Sequence, residues 1–397
     1  MNTKIKQAVM LAGGMGTRLK PFTDTAPKPM FPFKGIPFID KLIRQLKSFG
    51  IEEVVLLLGY LPEKITEFLG DGSQYGLKII YDITPVENDT GARLSNAKSL
   101  FDENFLFLYC DNYCPVNYPK LLQTHFENNA ELTLTAYANR DGYTKSNLKI
   151  NESLVEVYDK KRITEGLQGV DIGYAVVNKK VLELLPDTNC NFEKEVYPQL
   201  VEQKKLFACV TEHRYYSVGS YERIALTEEF FKEKKVVFLD RDGTLNEKAP
   251  QAAYIEKPED FKWLPKALEA IKLLYDNDFK VFIITNQPGI ARGNLTTEMF
   301  EKINEKMLSD IHNIGADIAG IYYCPHNWDE NCFCRKPKPG MFYNAQREHS
   351  LDLTKCYMVG DDERDIVAGQ LAGCKCKLLD LRFYNLYDAA WEIIKEI

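Results

Sequence analysis

Two carboxylates, Asp240 and Asp242, close the apolar run in "VVFLDRDGTLNE". Where a strand ends and the chain turns, side chains at i and i+2 can face one ligand. One carboxylate can then attack phosphorus, while the other protonates the leaving oxygen and afterwards activates water. The competing reading is an ordinary Asp-Gly turn. Later apolar runs end on partners for this chemistry. "VFIITNQ" reaches Thr285, whose hydroxyl can hydrogen-bond a phosphoryl oxygen, and "RKPKPG" offers Lys336 against developing negative charge. "YMVGDDERD" offers Asp361 and Asp362 as oxygen ligands for Mg²⁺.

A second group lies in "YYCPHNWDENCFCRKPKPG", where Cys324, His326, Cys332 and Cys334 fall within eleven residues. Three thiolates and an imidazole form a closed tetrahedral set for structural zinc, although the C-x-H…C-x-C spacing is not the common finger spacing. A metal site, a part of the phosphate site and a buried thiol cluster all fit these residues. Cys374 and Cys376 lack a second pair nearby and read as buried thiols. His125, His213, His312 and His349 have no chemical context and read as surface or capping residues.

In the first half, "LAGGMGTRLKPFTDTAPKPM" sets Gly13, Gly14 and Gly16 after an apolar run. Glycine lets backbone N–H groups approach phosphate closely and take positive φ. Arg18 and Lys28 add charge, Arg as a fork and Lys as a point. A tight turn with solvated bases is the alternative.

These residues need strand ends to carry them, and the chain supplies two runs of strand and helix. "KQAVMLAGG", "IEEVVLLLGY", "LKIIYDI" and "NFLFLYCDN" read as strands, with helical spacing in "FIDKLIRQLKSFG" and "LPEKITEFLGD". A second start at "KKVVFLDRDGTLNE" continues through the helix "PKALEAIKLLYDNDF" and the strands "KVFIITNQ", "AGIYYCPH" and "CYMVGDDERD". This rhythm predicts an α/β protein of two domains, 1–230 and 234–397, each a Rossmann-like, mostly parallel sheet flanked by helices.

The string Gly13-Gly14-Met15-Gly16-Thr17-Arg18-Leu19 with Pro27-Lys28-Pro29-Met30 resembles the signature of the sugar-1-phosphate nucleotidyltransferases. The resemblance implies a nucleotide held by Gly13, Gly14, Gly16 and Thr17, with Arg18 and Lys28 on phosphates. It implies attack of a sugar phosphate on the α-phosphorus of an NTP, releasing pyrophosphate. By the same resemblance Asp111 is a Mg²⁺ ligand, Lys160 meets the sugar phosphate and Asp171 lies near the sugar. The family's glycine-rich sugar loop is reduced to Thr90-Gly91-Ala92-Arg93, leaving Gly91 as its substrate-binding remnant. Ser217 stands where the family has a second metal aspartate; the metal then leans on Asp111, another acid substitutes, or this half only binds nucleotide as a regulatory module.

The second half is similar to the haloacid dehalogenase superfamily of phosphatases. That resemblance makes Asp240 the nucleophile of an aspartyl-phosphate and Asp242 the general acid/base and, through its carbonyl, a metal ligand. Thr285 and Lys336 then hold the phosphoryl group, and Mg²⁺ sits on Asp240, Asp242, Asp361 and Asp362. The Cys/His segment before Arg335-Lys336, and the run "TNQPGIARG" with Asn286, Gln287 and Arg292, resemble the heptose-1,7-bisphosphate phosphatases and the related histidinol-phosphate phosphatases. In that branch Cys324, His326, Cys332 and Cys334 hold structural zinc and Arg335 recognises phosphate. The fusion implies consecutive steps on one chain: removal of the 7-phosphate of D-glycero-D-manno-heptose 1,7-bisphosphate, then GMP transfer from GTP to heptose 1-phosphate for a cell-surface glycan. Another sugar and NTP, or histidinol-phosphate hydrolysis, are the alternatives.

Composition sets the outer bounds. The chain has 397 residues and a formal charge of −7, which argues against nucleic acid as a partner and leaves NTP and sugar phosphates. No apolar run is long enough for a membrane helix, and the start lacks a signal-peptide layout, so a cytoplasmic protein is expected. Ten cysteines in such a setting read mostly as reduced thiols. Homo-oligomerisation is left open.

Overall fold

The computed structural model describes residues 4–250 and 253–396. It divides into two compact units, Met1–Phe231 and Lys232–Ile397.

In the first unit, β1 (Gln7–Ala12) runs into the glycine loop, a two-rung hairpin of β2 (Pro32–Phe33) and β3 (Ile36–Pro37), and α1 (Phe38–Ser48). Two strand–helix repeats follow: β4 (Glu53–Leu58), α2 (Pro62–Leu69), β5 (Lys78–Ile83) and α3 (Thr90–Ala97). Then come β6 (Asn104–Tyr109), β7 (Asn112–Tyr113), α4 (Tyr118–Glu127), β8 (Leu132–Tyr137), β9 (Leu148–Asn151), β10 (Leu154–Tyr158) and β11 (Val170–Asn178). The unit closes with α5 (Phe192–Glu202), β12 (Leu206–Thr211), β13 (Tyr216–Ser217) and α6 (Tyr221–Phe231).

Nine strands form one sheet in the order β5-β4-β1-β6-β11-β8-β12-β10-β9. The segment β5-β4-β1-β6 is parallel, as its helical crossovers require. Beyond it the pairing is mixed: β11 runs antiparallel to both β6 and β8, while β12 is parallel to β8. β9 and β10 are joined by Glu152 and Ser153 alone, a link that permits only antiparallel pairing. The sequence rhythm of strand and helix fades over this stretch, and with it the parallel geometry. Side chains of β1 alternate between the two sheet faces: Ala8, Met10 and Ala12 enter one apolar core, Val9 and Leu11 the other. A strand buried on both faces is what a helix-covered sheet demands.

The second unit holds β14 (Lys235–Leu239), α7 (Ala267–Asp276), β15 (Phe279–Asn286), α8 (Thr297–Asn313), β16 (Gly320–Cys324), α9 (Gly340–His349), β17 (Tyr357–Gly360), α10 (Glu363–Ala372), β18 (Lys375–Leu378) and α11 (Leu386–Lys395). Its five strands are all parallel, ordered β16-β15-β14-β17-β18. β14 is central, with Val237 and Leu239 in one core and Val236 and Phe238 in the other. Its carboxyl end is therefore the middle of the sheet's ligand-facing edge.

One expectation changes here: of the histidines read as surface or capping residues, His125 and His213 are buried. His125 lies in the last turn of α4, where its Nδ1 is 3.0 Å from Thr133 Oγ1 and its ring meets Phe126 edge-on. Among the described residues, no helix is long and apolar enough to cross a membrane.

Candidate active sites

Asp240 follows the last residue of β14 and is buried, as is Lys336 in the loop before α9. The Lys336 ammonium donates to Asp240 Oδ1 at 2.5 Å and to the Ile284 carbonyl at 2.9 Å, and lies 2.6 Å from Asp365 Oδ1. Burial pushes the Asp240 carboxyl up, with Asp365 adding to it and the Lys336 charge opposing. Burial alone would lower the Lys336 ammonium, yet Asp240 and Asp365 hold it above its ordinary value and therefore charged.

Around this pair the other strand ends close a cavity of about 230 Å³. Thr285 comes from the end of β15, and its hydroxyl accepts a 2.8 Å bond from Gln287, which also donates to Asp242 Oδ2 at 2.8 Å. Asn286 grips the backbone of Lys336 on both sides, accepting from its N–H at 3.0 Å and donating to its carbonyl at 3.1 Å. Asp242 also receives Asn246 at 3.0 Å and pairs with the buried Arg241 at 2.9 Å. Burial pushes the Asp242 carboxyl up, but Arg241, Asn246 and Gln287 together hold it below its ordinary value.

Oxygens of Asp240, Asp361 and Asp365 lie within 4.8 Å of one another. Asp361 Oδ1 is buried without a partner, and burial pushes this carboxyl up. Three converging carboxylates, one with an unused lone pair, fit a small oxygen-seeking divalent cation. Asp362, expected beside Asp361, is spent elsewhere: its carboxylate caps α10 and pairs with Arg364 at 2.7 Å. Asp365, which the sequence analysis did not single out, takes its place in the group. The cue was the i,i+4 spacing from Asp361 on the first turn of a helix that begins at the strand end.

Cys324, at the end of β16, His326, Cys332 and Cys334 converge. His326 Nδ1 is 3.2 Å from Cys334 Sγ, and Cys332 Sγ is 3.6 Å from both other sulfurs. A tetrahedron with Zn–S bonds of about 2.3 Å has ligand-to-ligand edges of about 3.8 Å, so the four atoms are spaced as zinc ligands are. The loop they gather is tied to the phosphate side: Gln287 N–H donates to the Cys324 carbonyl at 2.8 Å, and Arg335 donates to the His326 carbonyl at 3.4 Å. Arg335 and Lys336 both line the cavity. Arg292 does not; its guanidinium holds Asn327 and the Tyr254 hydroxyl, and Tyr254 does line it.

In the first unit a cavity of about 260 Å³ opens at the carboxyl ends of β1 and β6. Gly13, Gly14 and Gly16 line it, and Gly16 takes a φ of 63°, a left-handed conformation that favours glycine. Lys28 reaches in and pairs with Asp111 at 2.7 Å. Thr17 and Arg18 stand on the exposed turn beyond Gly16, outside the lining. Gly91 is likewise not at the cavity. It is packed against Cys190, whose carbonyl accepts from its N–H at 2.9 Å, and a Cβ there would strike that carbonyl. Its missing side chain serves the packing of α3 against α5, not substrate contact.

Lys160 and Asp171 form a separate cluster with Glu193, a residue missed in the sequence. Lys160 lies 2.9 Å from Glu193, which also accepts from the Tyr158 hydroxyl at 3.1 Å. Burial pushes the Asp171 carboxyl up, with Glu193 adding to it. Tyr109, which lines the cavity, feels both charges: burial first, then Glu193 and Asp171, raise its phenol. Ser217 in β13 pairs in register with Asn112, and the next residue's N–H donates to the Asp111 carbonyl at 3.0 Å. A hydroxyl therefore stands one rung from the only acid at this strand end among the cavity-lining residues of β6 and its exit.

Comparison with known proteins follows the same division. The nucleotidyl transferase family model matches residues 7–225, and the polynucleotide kinase 3 phosphatase family model matches residues 235–377. A D-glycero-beta-D-manno-heptose-1,7-bisphosphate 7-phosphatase of Haemophilus ducreyi is 40% identical over 153 residues, which is 37% of this chain and 82% of that relative. The chain belongs to the nucleotidyl transferase family through its first unit and to the heptose-bisphosphate phosphatase family through its second. A D-glycero-alpha-D-manno-heptose-1,7-bisphosphate 7-phosphatase of Photorhabdus laumondii is 38% identical over 146 residues, 35% of this chain and 78% of that relative. The crystal structure of HddC from Yersinia pseudotuberculosis is 25% identical, with a TM-score of 0.49, covering 57% of this chain and 100% of that one. A nucleotidyl transferase unit and a phosphatase unit thus share one chain, which is a bifunctional enzyme, transferase and hydrolase. Its phosphatase unit has the buried Asp240–Lys336 centre, and its transferase unit has the glycine-loop cavity.

Proposed function

We propose that the enzyme carries out two consecutive steps of nucleotide-activated heptose synthesis. The second unit, residues 234–397, removes the 7-phosphate of D-glycero-D-manno-heptose 1,7-bisphosphate. The first, residues 1–230, transfers GMP from GTP to the resulting heptose 1-phosphate, giving GDP-heptose and pyrophosphate. One observation carries the reading: a phosphatase unit whose relatives are named for a heptose 1,7-bisphosphate is joined to a nucleotidyl transferase unit whose glycine-loop string resembles that of enzymes consuming sugar 1-phosphates. The product of one chemistry is the substrate class of the other. Relatives named for both the alpha and the beta anomer are similar at nearly the same level, so the anomer is a matter for the substrate assay.

In the phosphatase half, an Asp240 oxygen attacks phosphorus and the bond from phosphorus to the sugar oxygen breaks. Asp242, ionised in the free site, takes up a proton from the entering phosphate monoanion and gives it to that oxygen. Water then attacks the aspartyl-phosphate, Asp242 takes its proton, and phosphate leaves. Lys336 and Thr285 are within reach of the phosphoryl oxygens, and Arg335 holds the remainder of the substrate. Asp240, Asp361 and Asp365 would hold Mg²⁺, which would supply positive charge against the phosphoryl group. Cys324, His326, Cys332 and Cys334 would hold zinc, which would brace the loop carrying Arg335 and Lys336. In the transferase half, an oxygen of the sugar phosphate attacks the α-phosphorus and pyrophosphate leaves, with Lys28 and the glycine-loop N–H groups neutralising charge. Arg18, on the exposed turn beside them, adds a second positive charge for the phosphates, and Asp111 would hold Mg²⁺, which would supply further charge against them. Ten free cysteines support a cytoplasmic setting.

A pairing of each NTP with heptose 1-phosphate and heptose 1,7-bisphosphate tests the whole reading. Phosphate release from the bisphosphate and pyrophosphate release from GTP with the monophosphate are expected. The pairing of Asp111 with Lys28, and Ser217 beside it, favour one second reading, a first unit that binds nucleotide to regulate the phosphatase. Nucleotide binding without turnover by any combination would select it.

A further inference from the structure

Arg93 is an arginine on α3 with only 3% of its surface exposed, and it lines the glycine-loop cavity. Its guanidinium donates to the Leu58 carbonyl at 2.6 Å, the Thr84 hydroxyl at 2.5 Å and the Pro85 carbonyl at 2.8 Å. These acceptors belong to the carboxyl ends of β4 and β5 and the loop beyond. Gly13, after β1, and Gly59, after β4, flank the same guanidinium, and a Cβ added at either would run into it. The absent side chain at Gly13 is thus required for the arginine below as well as for any ligand above.

The charge is not balanced by an ion pair. The carboxylates of Asp82, Asp89 and Glu87 act on the Arg93 guanidinium from a distance, and none accepts a hydrogen bond from it. Burial is the largest influence on this group and disfavours its charged form. A guanidinium buried on neutral carbonyls keeps its hydrogen bonds but bears an uncompensated desolvation cost. An anion entering the cavity above Gly13 relieves that cost.

We propose that Arg93 is a positioning residue of the nucleotidyl-transfer site, tying the ends of β4 and β5 beneath Gly13 and giving the cavity floor a positive charge that a polyphosphate completes. The inference rests on the nucleotidyl-transfer reading of the first unit. Arg93 acts through the loop and the local field, since its guanidinium hydrogen bonds go to protein oxygens.

The test uses the full chain as wild type, Arg93→Lys and Arg93→Ala. Inorganic tripolyphosphate binding is measured by calorimetry, and transfer kinetics are measured with GTP and heptose 1-phosphate. Arg93→Ala should weaken tripolyphosphate binding and raise the KM for GTP by about tenfold, leaving the KM for sugar phosphate near wild type. Millimolar guanidinium should restore part of both. Arg93→Lys keeps the charge but cannot span the same acceptors, so it should retain binding and lose kcat. Unchanged tripolyphosphate binding in Arg93→Ala overturns the proposal. So does a loss that guanidinium does not relieve and that Arg93→Lys shares in full, the pattern of a purely structural side chain. If wild type binds tripolyphosphate but transfers no nucleotide, the transfer reading fails by itself, and the binding comparison still decides the role of the Arg93 charge.

Discussion

The Lys336 ammonium lies 2.5 Å from an Asp240 oxygen, with both side chains buried at the centre of the phosphatase sheet edge. The same ammonium meets Asp365 at 2.6 Å. One buried cation between two buried carboxylates leaves negative charge in excess there, while Asp361 beside them keeps one oxygen free and pairs through the other with Lys248. Buried carboxylates outnumber the buried ammonium at this strand end, and the Lys336 charge opposes, without cancelling, the protonation that burial favours at Asp240.

Removing Lys336 should therefore do more than slow catalysis. Lys336→Met strands two buried carboxylates, a change that costs about 3–5 kcal/mol in comparable buried pairs. Denaturant unfolding followed by fluorescence should register this loss together with the loss of phosphate release. Asp240→Asn removes the nucleophile with little change of shape, so phosphate release should vanish while pyrophosphate release from GTP persists. Loss of both activities in Asp240→Asn would argue against independent sites.

The Cys/His cluster should contain about one zinc per purified chain by elemental analysis. Cys332→Ser leaves three ligands, so the metal should be lost and the segment carrying Arg335 loosened. The expected result is a raised KM for the bisphosphate with pyrophosphate release unaffected. Zinc-free protein that is fully active and as stable as the holo form would remove the structural-zinc assignment.

The legibility of these sites in the sequence was uneven for physical reasons. Asp240, Thr285 and Lys336 each follow an apolar run or a proline-marked loop, so strand ends could be read from local pattern. Asp365 was harder, because its importance comes from a helix folding back over the strand end and not from its neighbours in sequence. Asp362 is the converse: adjacent to Asp361, it is claimed by the helix N-terminus, where a carboxylate satisfies free N–H groups. Gly91 shows that a glycine in a family-like loop can be required by a backbone 99 residues later, that of Cys190, which no local pattern reveals. Arg93 and Glu193 depend on contacts between separate elements, and composition carries no trace of them. The parallel half of the first sheet was visible in strand–helix alternation; the mixed half depends on short links and long-range pairing.

His125 gives the first unit a defined response to acid. Burial holds its imidazole down at about 4, against an ordinary value of 6.5. The unfolded chain binds a proton in that interval and the folded one does not. Stability is full above pH 6.5 and is lost as pH falls toward 4, by roughly 3 kcal/mol in all. Chemical denaturation at pH 7.5 and pH 5.0 should show wild type losing about 2 kcal/mol more than His125→Gln over that interval. An equal loss in both proteins would mean that other groups carry the acid response.

Ser217 stands one rung from Asp111, at the position that in nucleotidyltransferases bears a second acid, and Asp111 is meanwhile paired with Lys28. A single carboxylate already shared with an ammonium holds a divalent cation weakly, and a neutral hydroxyl adds little. Ser217→Asp should therefore lower the Mg²⁺ concentration giving half-maximal pyrophosphate release by about tenfold, a gain of ~1.4 kcal/mol in cation binding. Ser217 is buried, with 8% of the residue exposed, so the added carboxylate has no easy route to water and should lower the thermal stability of the metal-free first unit. Mg²⁺ should then restore that stability more in Ser217→Asp than in wild type, because ligand binding to the folded state adds directly to its free energy. A variant with an unchanged Mg²⁺ dependence would show that the second acid is supplied elsewhere in the chain, and Asp111 would have to be tested next by the same titration in Asp111→Asn.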